Sequence, residues 1–308
     1  MRAKWNGFFI AVAVLGLLSL GCEENLTSDR GIDGPFAMYG MLSPQLDTQT
    51  VRLFPREESP TLNAGNVEAD VYSIDLETGD RRQWMDSLTT GRGGLPARVF
   101  WSPFKVEYGH GYRIEAIRRS DGARSFAEVR VPPMVRLQID ESDAPLLNVF
   151  VEGDRFRLLA PEAVYDVSRP IRHPDTGEFR PVLTYEVAYA GSERPTEHGW
   201  TVTFNMIVDA TDINFAYNGE ICRAPTCGGQ CSVMRGESTY VILDRMGIKA
   251  IVANPEWNPP RGVFDPNVMA HPEVLSNVEN GSGFIAAGYE LDQILNLSRE
   301  TVRLSCFN

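Results

Sequence analysis

Apolar and polar residues alternate along most of the chain with a period of two. That is the period of a strand whose side chains point to opposite faces of a sheet. In Thr50-Val51-Arg52-Leu53 the apolar pair Val51 and Leu53 is expected to face inward. Tyr72, Ile74 and Leu76 share one face of the next run, Val71, Ser73 and Asp75 the other, and Glu77-Thr78-Gly79-Asp80 supplies a turn at its end. Tyr112, Ile114 and Ala116 predict a further strand. Ser120-Asp121-Gly122 predicts a hairpin, because Asp-Gly accepts the positive φ of a tight turn. Ala127, Val129 and Val131 answer on the return strand, with Glu128 and Arg130 outward, and Pro132-Pro133 stops the ladder for want of backbone donors.

The second half carries the same signal with longer gaps. Tyr185, Val187 and Tyr189 alternate with Thr184, Glu186 and Ala188, and Val202, Phe204, Met206 and Val208 form the clearest alternation in the chain. Tyr240 to Leu243 is an apolar run, a short helix is predicted over Glu290 to Asn296, and Val302, Leu304 and Cys306 predict a last strand. Ser168 to Pro181 holds three prolines and Asn254 to Pro272 five, which marks long loops of the kind that carry function or move. The pattern predicts a mainly β protein: an immunoglobulin- or fibronectin-like β-sandwich over residues 36–133, then a second strand-rich domain with long loops over 134–308. Pro132-Pro133 is the expected boundary.

The N-terminus breaks this pattern. Arg2 and Lys4 are the only charges before position 22, Phe8 to Leu20 is nearly all apolar, and Gly21-Cys22 follows at once. A basic start, a short apolar core and a small residue at the cut is the layout of a secretory signal. The run is shorter than the ~20 residues of a comfortable membrane span. Leu18-Ser19-Leu20-Gly21-Cys22 resembles a bacterial lipobox, although Ser19 and Leu20 depart from its commonest residues. That resemblance implies cleavage after Gly21 and a diacylglycerol thioether on Cys22, with several acyl chains holding the mature protein on a bilayer. Residues 1–21 are then the leader. Residues 22–35, polar and carrying Gly31, Gly34 and Pro35, are a tether. Glu23-Glu24 directly after the cysteine resembles the surface-export signal of Bacteroidota lipoproteins, so an outer-surface address is expected, with a periplasm-facing anchor as the alternative.

Charge narrows the partners. The formal net charge is −12, and loss of Arg2 and Lys4 with the leader takes it to −14. Nucleic acid is not an expected partner, since it calls for a basic face. Four cysteines remain after Cys22, namely Cys222, Cys227, Cys231 and Cys306. In an oxidising compartment two disulfides are the expectation, their connectivity open among three pairings, with Cys306 expected to staple the last strand to the 222–231 loop. A four-thiolate zinc site is the rival, though the spacing lacks paired Cys-x2-Cys knuckles. No cofactor or metal is expected.

Motifs for catalysis are sparse. His110, His173, His198 and His271 fall in no metal-binding spacing, no Gly-x-Ser-x-Gly elbow occurs, and Gly91-Arg92-Gly93-Gly94 lacks the features of a phosphate loop. Asp209, Asp212 and Asn214 offer oxygens for calcium but lack the glycine and terminal glutamate of an EF-hand. An enzyme is therefore not expected. Trp257, in the proline-rich stretch Asn254 to Pro260, is a candidate for ligand or partner contact, or an anchor for its own loop.

Tyr39 to Pro44 with Thr50 to Leu53, the Asp75 to Gly79 turn, the Ala127 to Pro132 exit strand, and Ser276-Asn277-Val278-Glu279-Asn280-Gly281-Ser282-Gly283-Phe284 together resemble a family of Bacteroidota lipoproteins known as domain of unknown function 4249. The resemblance implies a non-catalytic surface accessory lipoprotein in nutrient uptake, because genes of that family often lie beside TonB-dependent outer-membrane receptors. It brings no catalytic residues. Asn277 and Asn280 are candidate partner contacts, with tight bends as the other reading of Asn-Gly. A structural or adhesion lipoprotein of the envelope is the alternative function.

Overall fold

The computed structural model describes residues 34–55, 67–90, 96–168, 183–218, 242–257 and 276–304. The leader, the five cysteines, His173 and His271 lie outside the described residues, and with them the lipid, disulfide and zinc expectations. Asp33–Asn308 packs as one unit.

Strands dominate, as the alternation predicts. The first half holds β1 (Phe36–Leu42), β2 (Gln49–Pro55), β3 (Ala69–Asp75), β4 (Arg81–Gln83), β5 (Met85–Thr90), β6 (Pro96–Ser102), β7 (Gly111–Arg118) and β8 (Arg124–Arg130). The second holds β9 (Arg136–Asp140), β10 (Leu146–Glu152), β11 (Arg157–Ser168), β12 (Leu183–Ala188), β13 (Arg194–Thr196), β14 (Gly199–Asn205), α1 (Met206–Asn218), β15 (Ile242–Ala253), β16 (Val278–Glu279), β17 (Gly281–Leu295) and α2 (Arg299–Leu304).

They form three sheets. An eight-stranded sheet runs β12-β11-β15-β17-β1-β2-β6-β5, a five-stranded one β16-β8-β7-β3-β4, and a four-stranded one β13-β14-β10-β9. The five-stranded sheet packs on the β1-β2-β6 half of the long sheet through Val71, Ile114, Ala116, Ala127 and Val129 against Met38, Val51, Leu53 and Phe100. The four-stranded sheet packs on the β11-β15 half through Leu147, Val149, Val202 and Phe204 against Tyr165, Ile248 and Val252. Each fully buried Val, Leu, Ile, Phe or Met side chain among them contributes ~1.5–3 kcal/mol of transfer free energy. The protein is thus mainly β, a sandwich of one long sheet and two shorter ones.

β17 belongs to both halves. Its Ile285 and Ala287 enter the first core, and its Tyr289, Leu291 and Leu295 enter the second. These positions share parity, so both short sheets lie on the same face of the long one. The Tyr289 hydroxyl donates to Pro133 O at 2.8 Å and accepts from Val135 N at 3.0 Å. It thereby pins the chain at the point where the first core gives way to the second.

β1 and β17 pair in parallel from Phe36↔Gly281 to Leu42↔Ala287, while β16 adds Val278↔Ala127 to β8. The stretches around Tyr39, Ala127 and Ser276 to Phe284 quoted for the family resemblance are therefore joined by strand pairing although they lie far apart in the chain. Gly283 makes the approach possible: its φ is +98°, and a Cβ there would stand 2.2 Å from Met38 O.

The hairpin at Ser120-Asp121-Gly122 forms as expected, with Gly122 at φ +74° and Arg118 N donating to Ala123 O at 2.8 Å. Three expectations are corrected. Residues 290–295 are strand, because Leu291 and Leu295 alternate inward while Ile251↔Glu290 and Ala250↔Leu291 pair with β15; sheet pairing overrides local helix preference. Residues 299–304 are helix, started by Ser298, whose Oγ accepts from Thr301 N at 3.1 Å. The alternation through Val202 and Phe204 stops at Asn205, whose Oδ1 accepts from Val208 N at 3.3 Å, so Met206 and Val208 sit on α1.

Candidate functional site

A cleft of about 240 Å³ opens where the end of β3 meets the starts of β4 and β7. It grows from two turns. The first begins at Asp75, whose Oδ1 accepts from the amides of Glu77 (2.9 Å) and Thr78 (3.2 Å) while its own amide donates to Asp80 O (2.9 Å). An aspartate that gathers the amides ahead of it fixes a turn without outside help. The second is Glu107 to Gly111, closed by His110 N donating to Glu107 O at 3.3 Å and Val131 N donating to His110 O at 2.9 Å. Pairing of β3 with β7 puts Asp75 opposite Tyr112 and brings the two turns together.

Polar bonds lock the turns. His110 Nδ1 lies 3.0 Å from Asp75 Oδ2; a carboxylate only accepts, so Nδ1 carries the proton. Glu77 Oε2 accepts from Gly111 N at 2.7 Å, and its Oε1 pairs with the Arg130 guanidinium at 3.0 Å. The hydrogen bond to Asp75 holds the His110 imidazole above its ordinary pKa, with burial opposing. Burial pushes the Asp75 carboxyl up, but the bond from His110 and the two amides outweigh it and leave it below the usual range. Tyr112 is buried and pushed up to about 12, chiefly by desolvation, while its hydroxyl accepts from Glu107 N at 3.0 Å.

Asp75, Glu77 and His110 bring donor atoms within 4.8 Å of one another, a composition that suits a divalent cation. Each is already engaged, however, and Arg130 supplies positive charge at Glu77. The three act as a lock between turns. The open chemistry of the cleft lies further out, where Phe104 and Tyr112 form an apolar floor below Asp80, Arg82, Lys105 and Glu107.

The sequence-nominated residues sit elsewhere. Trp257 packs against Phe284 with ring centroids 5.5 Å apart and planes tilted by 60°, on the face of β17 opposite the two cores, and its amide donates to Asn254 O at 3.0 Å. Asn254 ties the same turn to β17: its amide donates to Ala287 O and its Oδ1 accepts from Ala287 N, each at 2.9 Å. Asn277 spends its side chain on the backbone of Ile285, with Oδ1 accepting at 2.9 Å and Nδ2 donating at 2.8 Å. Asn280 is exposed at φ +48°, and its carbonyl accepts from Ser125 Oγ at 2.5 Å. Asp209 is buried on α1 and engaged by Tyr165 and Tyr189, while Asp212 is exposed on the same helix. His198 is an exposed turn residue between β13 and β14. Of the two described histidines, His110 and His198, His110 lines the cleft. The Glu77 to Asp80 turn is legible in the sequence; its meeting with the Glu107 to Gly111 turn depends on the β3–β7 register.

No protein-family model matches the chain, and no curated protein is similar to it. Among solved structures, the crystal structure of bovine butyrophilin aligns with 86% of this chain and all of its own length at 12% identity, with a TM-score of 0.18. A likeness that weak carries no argument about function.

Proposed function

We propose that this protein is a lipid-anchored accessory protein of the outer membrane that captures a small solute beside a TonB-dependent receptor. One observation carries the proposal: a basic, apolar leader ends in Leu18-Ser19-Leu20-Gly21-Cys22, and the first strand begins at Phe36 after a short polar stretch. A lipid on Cys22 places a folded β domain at the bilayer surface without a span of its own. Among the described residues no helix is long and apolar enough to cross a membrane. The resemblance of the Tyr39 to Leu53 and Ser276 to Phe284 stretches to receptor-associated lipoproteins supports the choice of partner, and the charged cleft between β3 and β7 supports a binding role.

The test is fractionation of cells producing the wild type and Cys22→Ser. The wild type is expected in the outer-membrane fraction with an acylated Cys22 by mass spectrometry. The variant is expected in the soluble fraction. A membrane-bound Cys22→Ser protein sinks the anchor. Cross-linking on intact membranes is expected to recover a TonB-dependent receptor with the wild type; capture of none sinks the uptake role.

A further inference from the structure

Four charges around the cleft take no part in the ion pairs of its sheet, although Glu107 also acts on the His110 imidazole. On the same sheet Arg81 and Arg124 pair with Glu115, Arg118 with Asp121, and Arg130 with Glu77. Asp80, Arg82, Lys105 and Glu107 form no ion pair among the described residues, and no side-chain hydrogen bond is made by Asp80, Lys105 or Glu107. Arg82 lies over the Phe104 ring at 5.2 Å. Two cations and two carboxylates thus face one small space without neutralising each other.

The floor beneath them is apolar in body. Phe104 and Tyr112 are buried, their rings 6.2 Å apart, and the Tyr112 hydroxyl is turned to the Glu107 amide. At about 240 Å³ the cleft is smaller than the ~300–1,000 Å³ sites that take drug-sized ligands. Charges beside a partly enclosed, low-dielectric wall are screened less than charges on open surface, so a ligand that meets both signs gains more than one that meets either. A simple anion would leave Asp80 and Glu107 facing it, and a simple cation would face Arg82 and Lys105.

We propose that the cleft binds a small zwitterion, a free amino acid or dipeptide, with its carboxylate towards Arg82 and Lys105, its ammonium towards Asp80 and Glu107, and its body on Phe104. This rests on the capture reading above for its biological sense and names what would be captured.

The test is isothermal titration of the full chain with free L-amino acids and dipeptides, and with the N-acetyl and carboxamide forms of each binder. A free form is expected to saturate one site, and either blocked form to bind about two- to fivefold more weakly, the scale of one partly exposed charge pair. Lys105→Gln and Asp80→Asn are expected to weaken the free form by a similar factor, and Arg303→Gln on α2 to leave it unchanged. All three positions are exposed, and an unaltered thermal midpoint checks their folding. Equal binding of free and blocked forms, indifference to Lys105→Gln and Asp80→Asn, or binding of no probe overturns the proposal. Titration is done in solution, so its failure leaves membrane anchoring and receptor capture intact, and their failure leaves a positive titration intact.

Discussion

His110 and Asp75 hold the two cleft turns together at 3.0 Å, and their bond changes character with pH. The imidazole gains a partner on folding, so its contribution is fully present below about pH 6.5, the value in an unfolded chain, and is lost as pH rises through its raised folded value. The Asp75 carboxyl lies below its ordinary value, so its contribution is present above about pH 3.9 and is lost as pH falls through its folded value. The pair is therefore strongest between about pH 4 and 6.5. His110→Gln is expected to lower the unfolding midpoint more at pH 5.5 than at pH 8.5, with a difference within ~1 kcal/mol because the pair is open to solvent. Urea unfolding at the two pH values checks this, and an identical effect at both contradicts it. Gly109-His110-Gly111 shows a turn residue in the sequence, but nothing local points to Asp75 as its partner.

Among the elements, α1 shows how a helix is fastened to sheets. Asp209 in its first turn is buried, accepts from Tyr165 OH at 2.5 Å and from Tyr189 OH at 2.8 Å, and thereby links the helix to β11 and to the residue following β12. The Tyr189 hydroxyl also accepts from Asn205 N at 2.9 Å, tying down the residue before the helix. Burial pushes the Asp209 carboxyl up, and the two tyrosine bonds only partly offset it. Asp209→Ala would remove the acceptor shared by both tyrosine hydroxyls and is expected to cost ~2–4 kcal/mol. Asp209→Asn keeps an acceptor and is expected to cost less. A raised carboxyl contributes most below the unfolded value near pH 3.9 and loses that contribution as pH rises through the folded one, so the Asn penalty is expected to shrink from pH 4 to pH 7. Chemical denaturation at both pH values measures it; a penalty that grows with pH would count against the assignment. In sequence the same aspartate falls in a group with Asp212 and Asn214 that lacks the marks of a calcium loop, and nothing local names Tyr165 and Tyr189 as its partners.

For the whole molecule the decisive element is β17. It lies between β15 and β1 in the long sheet and gives side chains to both cores. Removing it would open two new sheet edges and strip Ile285, Ala287, Tyr289 and Leu291 from the interior. The full chain is expected to unfold in one cooperative transition, and a chain ending at residue 275, or residues 34–133 alone, to show none. Differential scanning calorimetry of the three proteins decides it. A cooperative transition in the 34–133 fragment would show that the first core does not depend on the C-terminal strand.

Much of this was local and therefore readable from residues alone. Strand alternation at Val51 and Leu53, the Asp121-Gly122 hairpin, the mainly β class, and the acidic balance follow from side-chain period, turn conformation and composition, which need no distant partner. Tertiary structure decided the parallel pairing of β1 with β17, the strand at 290–295, and the meeting of Asp75 with His110. Those outcomes turn on contacts between segments far apart in the chain. Their free energy is set by register and burial after collapse, and a local pattern compatible with either helix or strand cannot carry it.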